Sequence, residues 1–257
     1  MTAVQRLVRA MARLRGPAGC PWDRQQTHRS LKPYLLEETY ELLEAIDSDD
    51  PAKIANELGD LLLQVVFHAQ LAAERGQFDL EAVAEGIVAK LIHRHPHVFG
   101  DTTVRDAQEV LANWEKLKAQ EPTTSDRASV LDGVPQTLPA LMRAAELQKR
   151  AARVGFDWDD VAGALAKIDE ELRELRAARA NATAPKLAEE IGDLLFAVVN
   201  VSRFCGVDPE DALRQTIGKF CRRFRRIEEQ ARRSGRALQD MSLQEMDAIW
   251  EEAKARG

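Results

Sequence analysis

Residues 37–66 read EETYELLEAIDSDDPAKIANELGDLLLQVV, and residues 170–199 read EELRELRAARANATAPKLAEEIGDLLFAVV. Laid over one another without a gap, they place Glu37, Glu38, Glu41, Glu57 and Asp60 on Glu170, Glu171, Glu174, Glu190 and Asp193, a constant offset of 133. The same offset sets Lys53 on Lys186, Gly59 on Gly192, Leu61 and Leu62 on Leu194 and Leu195, and Val65 and Val66 on Val198 and Val199. Farther along, Lys90 and Arg94 meet Lys219 and Arg223 at an offset of 129, so the second copy is four residues shorter in between. Each copy closes on the pattern WExxK, at Trp114 to Lys118 and at Trp250 to Lys254. A recurrence of this length marks a duplicated structural unit.

Within each copy the apolar residues follow helical spacing. At about 100° per residue, Glu37, Glu38, Glu41 and Glu44 lie opposite Leu35, Leu36, Leu42, Leu43 and Ile46, an ordinary amphipathic helix whose acidic face would by itself be a solvated one. The next helix differs. Leu58, Leu61, Leu62, Leu63, Val65, Val66 and Phe67 cover about two-thirds of its circumference, leaving a narrow stripe of Glu57, Asp60 and Gln64. In the second copy Ala197 replaces Gln64 and narrows the stripe further. This pattern predicts a helix buried on nearly all sides. No stretch alternates as a strand does, and Gly76, Pro96, Gly100, Asn181 to Pro185, and Gly206 supply turns. The expected fold is all-α, two tandem helical-bundle repeats at residues 1–120 and 140–257. The linker, 121–139, holds Glu121-Pro-Thr-Thr-Ser-Asp126, Asp132-Gly-Val-Pro135 and Pro139.

Composition narrows the class. Of 257 residues, 45% are apolar and 30% charged, enough to bury a core, and the net charge of -6 removes the general attraction that drives nucleic-acid binding. Three cysteines without zinc-type spacing fit a reducing compartment. Residues 1–15 form an amphipathic pattern unlike a signal peptide, and the apolar run 61–73 is too short to span a bilayer. A cytoplasmic protein with no membrane partner is expected.

Buried carboxylates need a partner. Glu57 and Asp60, at i and i+3, point the same way, and a facing helix carrying Glu38 and Glu41 would complete a four-carboxylate cage. Hard oxygen ligands of this kind suit Mg²⁺, with Mn²⁺ able to substitute. No histidine follows a glutamate by three residues, as a di-iron bundle requires, and neither a P-loop nor a Gly-rich dinucleotide motif is present. Basic residues do accompany the cage: Lys53, Lys90 and Arg94 in the first copy, and Lys167, Lys186, Lys219, Arg222 and Arg223 in the second. Carboxylates for a divalent ion, with several cations for anionic oxygens, suit a polyphosphate substrate.

EExxE followed by ExxD, twice over, resembles the MazG nucleoside triphosphate pyrophosphohydrolases of the all-α NTP pyrophosphatase superfamily. The resemblance extends to Cys20-Pro-Trp-Asp23 with Gln26-Thr27, Arg94-His-Pro-His-Val-Phe99, Leu131-Asp-Gly-Val-Pro135 and Arg153-Val-Gly-Phe-Asp-Trp158. It implies hydrolysis of nucleoside triphosphates between the α- and β-phosphates, and a homodimer whose chains share cores and sites. By position it implies metal ligands Glu171, Glu174, Glu190 and Asp193, matched by Glu38, Glu41, Glu57 and Asp60. It places Lys167, Lys186, Glu189, Lys219, Arg222, Arg223 and Trp250 on the nucleotide. Glu171, and Glu170 as a candidate general base, are the expected catalytic residues.

The copies differ where Tyr34 replaces Lys167 and His93 replaces Arg222, which ranks the second copy as the principal site on its cation count. The alternative is a catalytically silent sensor that binds nucleotide or metal without turnover. The cluster His93, His95 and His97 around Pro96 reads as a helix end. Trp250 reads equally as a core anchor or a base-stacking platform.

Overall fold

The computed structural model describes residues 1–119, 128–181 and 183–255. The first part of the proposed linker, including Glu121 to Asp126, lies outside them. The chain divides into two compact units, Met1–Pro122 and Thr123–Gly257. Every regular element among the described residues is helical.

The first unit contains α1 (Ala3–Arg15), α2 (Pro21–Gln25), α3 (Lys32–Asp47), α4 (Pro51–Ala73), α5 (Leu80–Arg94), α6 (Pro96–Phe99) and α7 (Ala107–Ala119). α3 and α4 form an antiparallel hairpin whose tight connection depends on two residues. Asp49 takes a left-handed backbone (φ 51°), and Asp50 caps α4 by accepting from the Ala52 amide at 3.0 Å. Pro51 follows at the first helical position, where its missing N–H costs nothing. α1 starts from a reciprocal capping box between Thr2 and Gln5 and lies on α4. Met11, Leu31, Val66, Phe67 and Leu71 make the core.

The second unit contains α8 (Ala140–Arg153), α9 (Val161–Asn181), α10 (Ala184–Phe204), α11 (Pro209–Arg233), a 3₁₀ turn (Leu238–Asp240) and α12 (Leu243–Ala255). Here α9 and α10 form the hairpin equivalent to α3 and α4, and α8 packs on α10 as α1 does on α4. Residues 128–139 fold against α8, with Val134 buried and the Asp132 carbonyl accepting from Arg150 at 2.6 Å.

One sequence expectation needs correction. α4 and α10 are not buried on nearly all sides: Leu58 and Leu195 are each 50% exposed, and Leu62, Val65, Phe196 and Val198 are also open. Within one unit α4 packs on α3, α1 and α5, and α10 mainly on α9 and α8, so one apolar flank of each remains uncovered. None of the described helices is long and apolar enough to cross a membrane.

Candidate active site

The two hairpins gather the carboxylates. In the first unit one oxygen each of Glu38, Glu41 and Glu57 lies within 4.8 Å of the others, and in the second Glu171, Glu174 and Glu190 do the same. The mechanism is helical register: residues at i and i+3 share a face, and antiparallel packing turns two such faces together. The fourth expected member stands slightly apart in both units. Asp60 accepts from Asn56 Nδ2 at 3.4 Å, the same amide that donates to Glu57 Oε1 at 3.2 Å. Asp193 lies one turn along α10 from Glu190 and is exposed.

Crowding of negative charge has an electrostatic cost. Glu38 is held above its usual carboxylate range by burial, then by the charges of Asp60, Glu41, Glu37 and Glu57. The second unit meets the same problem with lysines. Lys167 Nζ contacts Glu171 Oε1 at 2.6 Å and Glu170 Oε1 at 2.9 Å. Lys186 Nζ contacts Glu190 Oε1 at 2.8 Å and Glu189 Oε2 at 3.2 Å. Hydrogen bonds to these carboxylates push both ammonium groups well above the usual lysine range, and Lys167 in turn lowers Glu170. At the Lys167 position the first unit has Tyr34, which packs edge-on against Trp22 at 5.7 Å.

The lysines use only half of each buried carboxylate. The Glu171 and Glu190 side chains are 5% and 4% exposed, and the Oε2 atom of each is buried without a hydrogen-bond partner. Two buried carboxylates of one cluster, each with an oxygen left unpartnered, are a ready pair of ligands for a hard divalent cation.

The structure does not bring every expected residue to this cluster. Lys219, Arg222 and Arg223 line a cleft of about 330 Å³ between α11 and α12, together with Arg226, Arg233 and Glu252, and no cage carboxylate is among its walls. The reason is packing: α11 rests mainly on α12 and α8 and touches α10 only lightly. Trp250 lies against Phe220 at 5.2 Å, with the Arg223 guanidinium 5.6 Å from its ring centre. The first unit repeats this contact with Arg94 over Trp114 at 5.1 Å. Each closing tryptophan therefore anchors a helix and holds an arginine. The cluster at His93, His95 and His97 sits across the end of α5 and the start of α6.

Sequence reasoning missed a second feature of this unit. Leu131, Leu147, Ala151, Phe156, Trp158 and Phe196 wall an apolar recess of about 500 Å³, with Gln148, Asn200 and the Asp157–Arg203 ion pair at its polar edge. Leu131 and the stretch Gly155 to Trp158 thus meet at one place. One signal was available: the 133 offset sets Asn200 against Phe67, a polar residue where the first copy has an apolar one.

The chain matches the MazG nucleotide pyrophosphohydrolase domain over residues 26–99 and again over 160–227, one match for each hairpin unit. It is 48% identical over 250 residues to the nucleoside triphosphate pyrophosphohydrolase/pyrophosphatase MazG of Thermotoga maritima, covering 97% of this chain and 95% of that protein. It is 46% identical over 257 residues to the nucleoside triphosphate pyrophosphohydrolase of Escherichia coli K12, covering 99% and 98%. A Bacillus subtilis protein, YabN, is 54% identical over 242 residues, which span 94% of this chain and 49% of that one. With both carboxylate hairpins inside the matched segments, and relatives aligned along nearly the whole length, the chain belongs to the MazG nucleotide pyrophosphohydrolase family.

Proposed function

We propose that this protein hydrolyses nucleoside triphosphates, ATP among them, to the monophosphate and pyrophosphate, with Mg²⁺ or Mn²⁺ and chiefly at the second unit. The observation that carries the reading is the pair of buried, unpartnered oxygens on Glu171 and Glu190 beside two lysines. Glu171, Glu174, Glu190 and Asp193 would hold the cation, which supplies charge neutralisation and an acidified water when bound. The first-unit set is Glu38, Glu41, Glu57 and Asp60.

Lys167 and Lys186 pass from their carboxylates to phosphate oxygens as substrate enters, and Glu189, released from Lys186, borders the same site. Glu170, released as Lys167 moves to phosphate, stands next to Glu171 and is the candidate to orient water toward the α-phosphorus and accept its proton. Lys219, Arg222 and Arg223 supply further cations from the α11–α12 cleft, and Trp250 serves the substrate by holding Arg223. The uncovered flanks of α4 and α10 support a homodimer in which a second copy covers them. We place the protein in the cytoplasm, with repeats at 1–120 and 140–257 joined by 121–139.

Product analysis with Mg²⁺ and an EDTA control tests the reaction. Monophosphate and pyrophosphate are expected, with ¹⁸O from labelled water in the monophosphate. Diphosphate and orthophosphate, or label in pyrophosphate, would overturn the cleavage site. Binding without turnover would favour the sensor reading.

A further inference from the structure

The first carboxylate hairpin is closed at both of its ends. The turn at Asp49 and Asp50 closes it where α3 runs into α4. At the other end His28, in the connection between α2 and α3, meets His68, near the end of α4. Their Nδ1 atoms lie 2.8 Å apart, with the ring planes 8° from parallel. Along the chain the cluster residues Glu38, Glu41 and Glu57 all fall between these two closures. We propose that His28 and His68 form an acid-released latch, which pins the start of α3 to α4 and so holds the open end of the hairpin that carries the first carboxylate cluster.

The latch follows from where protons can sit. Two imidazole nitrogens at this separation hold one proton between them: one ring donates its Nδ1–H and the other accepts through the Nδ1 lone pair. A first added proton goes to the free Nε2 of the donating ring and leaves the bond in place. A second has only the accepting Nδ1 to occupy, so the bond is lost and two like charges face each other. His68 Nε2 is buried and has no hydrogen-bond partner in the fold, so a charged His68 is relieved only by opening to water. Other charges nearby do not offset this. α1 brings Arg15, which is engaged by Glu74. The α2–α3 connection brings Arg29, α3 brings Lys32, and α5 brings Glu81 and Glu85, all of them exposed. Besides burial, His28 is the one group that shifts His68.

Burial of Leu31 in the core is the other restraint on this end of α3. The N-cap position makes no side-chain hydrogen bond, and the hydroxyls of Thr27 and Ser30 each accept from the other's backbone amide, at 3.1 and 2.9 Å. The second copy supplies an internal comparison. At the offset of 133 it has Val161 and Val201 in place of the two histidines, and neither side chain titrates. One chain thus carries two hairpins with the same carboxylate spacing, of which the first alone has a proton-dependent closure.

Amide hydrogen exchange of the full-length protein in EDTA, followed by mass spectrometry, tests the latch where it acts. Labelling is compared at about pH 7.5 and about pH 5.5, on either side of the ordinary histidine value, with times scaled to the intrinsic exchange rate. Peptides covering residues 26–36 should exchange about 5- to 10-fold faster in acid, the effect of one proton taken up on opening about one pH unit below that value. Peptides covering residues 159–169, the matching end of the second hairpin, should not change. His68→Val, which carries the second copy's residue into the first, should make exchange of residues 26–36 equal at the two pH values. His28→Val carries the test if that variant fails to fold. No acid step, an equal step in both hairpins, or a step that survives the substitution overturns the latch. The readout does not involve turnover, so the hydrolase reading stands or falls separately.

Discussion

Consider Glu190→Gln, which removes one charge from the second cage at constant shape. One oxygen of Glu190 lies within 4.8 Å of oxygens of Glu171 and Glu174. Each like-charge pair at that separation repels by about 3.5 kcal/mol at an effective dielectric of about 20. Two terms oppose the relief. The ion pair to Lys186 is lost, but that lysine is half exposed and water screens it, so this term is small. The new amide must also find an acceptor, and the ionised Glu171 beside it provides one. The metal-free protein should therefore be as stable as before or more so, by up to about 3 kcal/mol, whereas disturbing a buried, paired group normally destabilises by several.

The divalent ion reverses the order. Any ion that binds only the folded state adds stability by mass action, about 2.7 kcal/mol at a hundredfold excess over its dissociation constant. Thermal midpoints are read with EDTA and across a Mg²⁺ titration, where each kcal/mol corresponds to roughly 3–5 °C for a unit of this size. The unsubstituted protein should rise with Mg²⁺, and Glu190→Gln should start at least as high and respond little. A variant that melts several degrees lower in EDTA yet still gains from Mg²⁺ would refute the cage: Glu190 would then be a structural partner of Lys186 and no ligand.

Two further predictions concern the division of labour and pH. Glu171→Gln should abolish most turnover of a nucleoside triphosphate while Glu38→Gln leaves most of it, measured as pyrophosphate release; the opposite pattern would reverse the ranking of the units. His68 Nδ1 lies 2.8 Å from His28 Nδ1 with the rings stacked, and burial, then His28, hold His68 below its ordinary value of 6.5. Below about pH 6.5 the unfolded chain thus binds the extra proton first, so this pair's contribution is present above that pH and is lost as pH falls through the lowered value. His68→Val should flatten the fall in midpoint between about pH 7 and 5, and an unchanged acid slope would exclude the pair as its source.

Helical periodicity made the cage legible because its members are local: i, i+3 spacing on two consecutive helices joined by a short turn leaves little freedom in how they meet. Chain duplication then showed which of many helical glutamates to select. What stayed hidden depends on which helices touch and how completely. The register of α11 identifies Lys219, Arg222 and Arg223 as one stripe but cannot tell whether that stripe faces α10 or α12. The apolar circumference of α10 likewise gives the demand for burial without the supply, and within one chain Leu195 and Phe196 remain about half exposed. Gln148 gave no signal at all, since a polar residue on an arginine-rich helix looks solvated until Phe196 is found beside it.

The copies differ most at the cage and beside it. A recess, two buried oxygens without partners and an unpaired amide are each destabilising features in the absence of ligand. The two carboxylate oxygens and the recess fall in the second unit, around Glu171 and Glu190, whereas buried unpartnered atoms of other kinds occur in both units, at Gln148 Oε1 in the second and at Gln64 Oε1 and His68 Nε2 in the first. At equivalent places the first unit carries Phe67 in its core, Tyr34 on Trp22 and a stacked histidine pair where the second has Val161 and Val201. Packing of this kind favours a scaffold over a binding site. Duplication permits that separation, because one copy can keep the cage geometry while filling the space a substrate would need. The first unit's cluster should then still gather a divalent ion, with Glu38 already raised by burial and then by its acidic neighbours, while lacking the counterpart of Lys167 that would make the ion useful to a nucleotide.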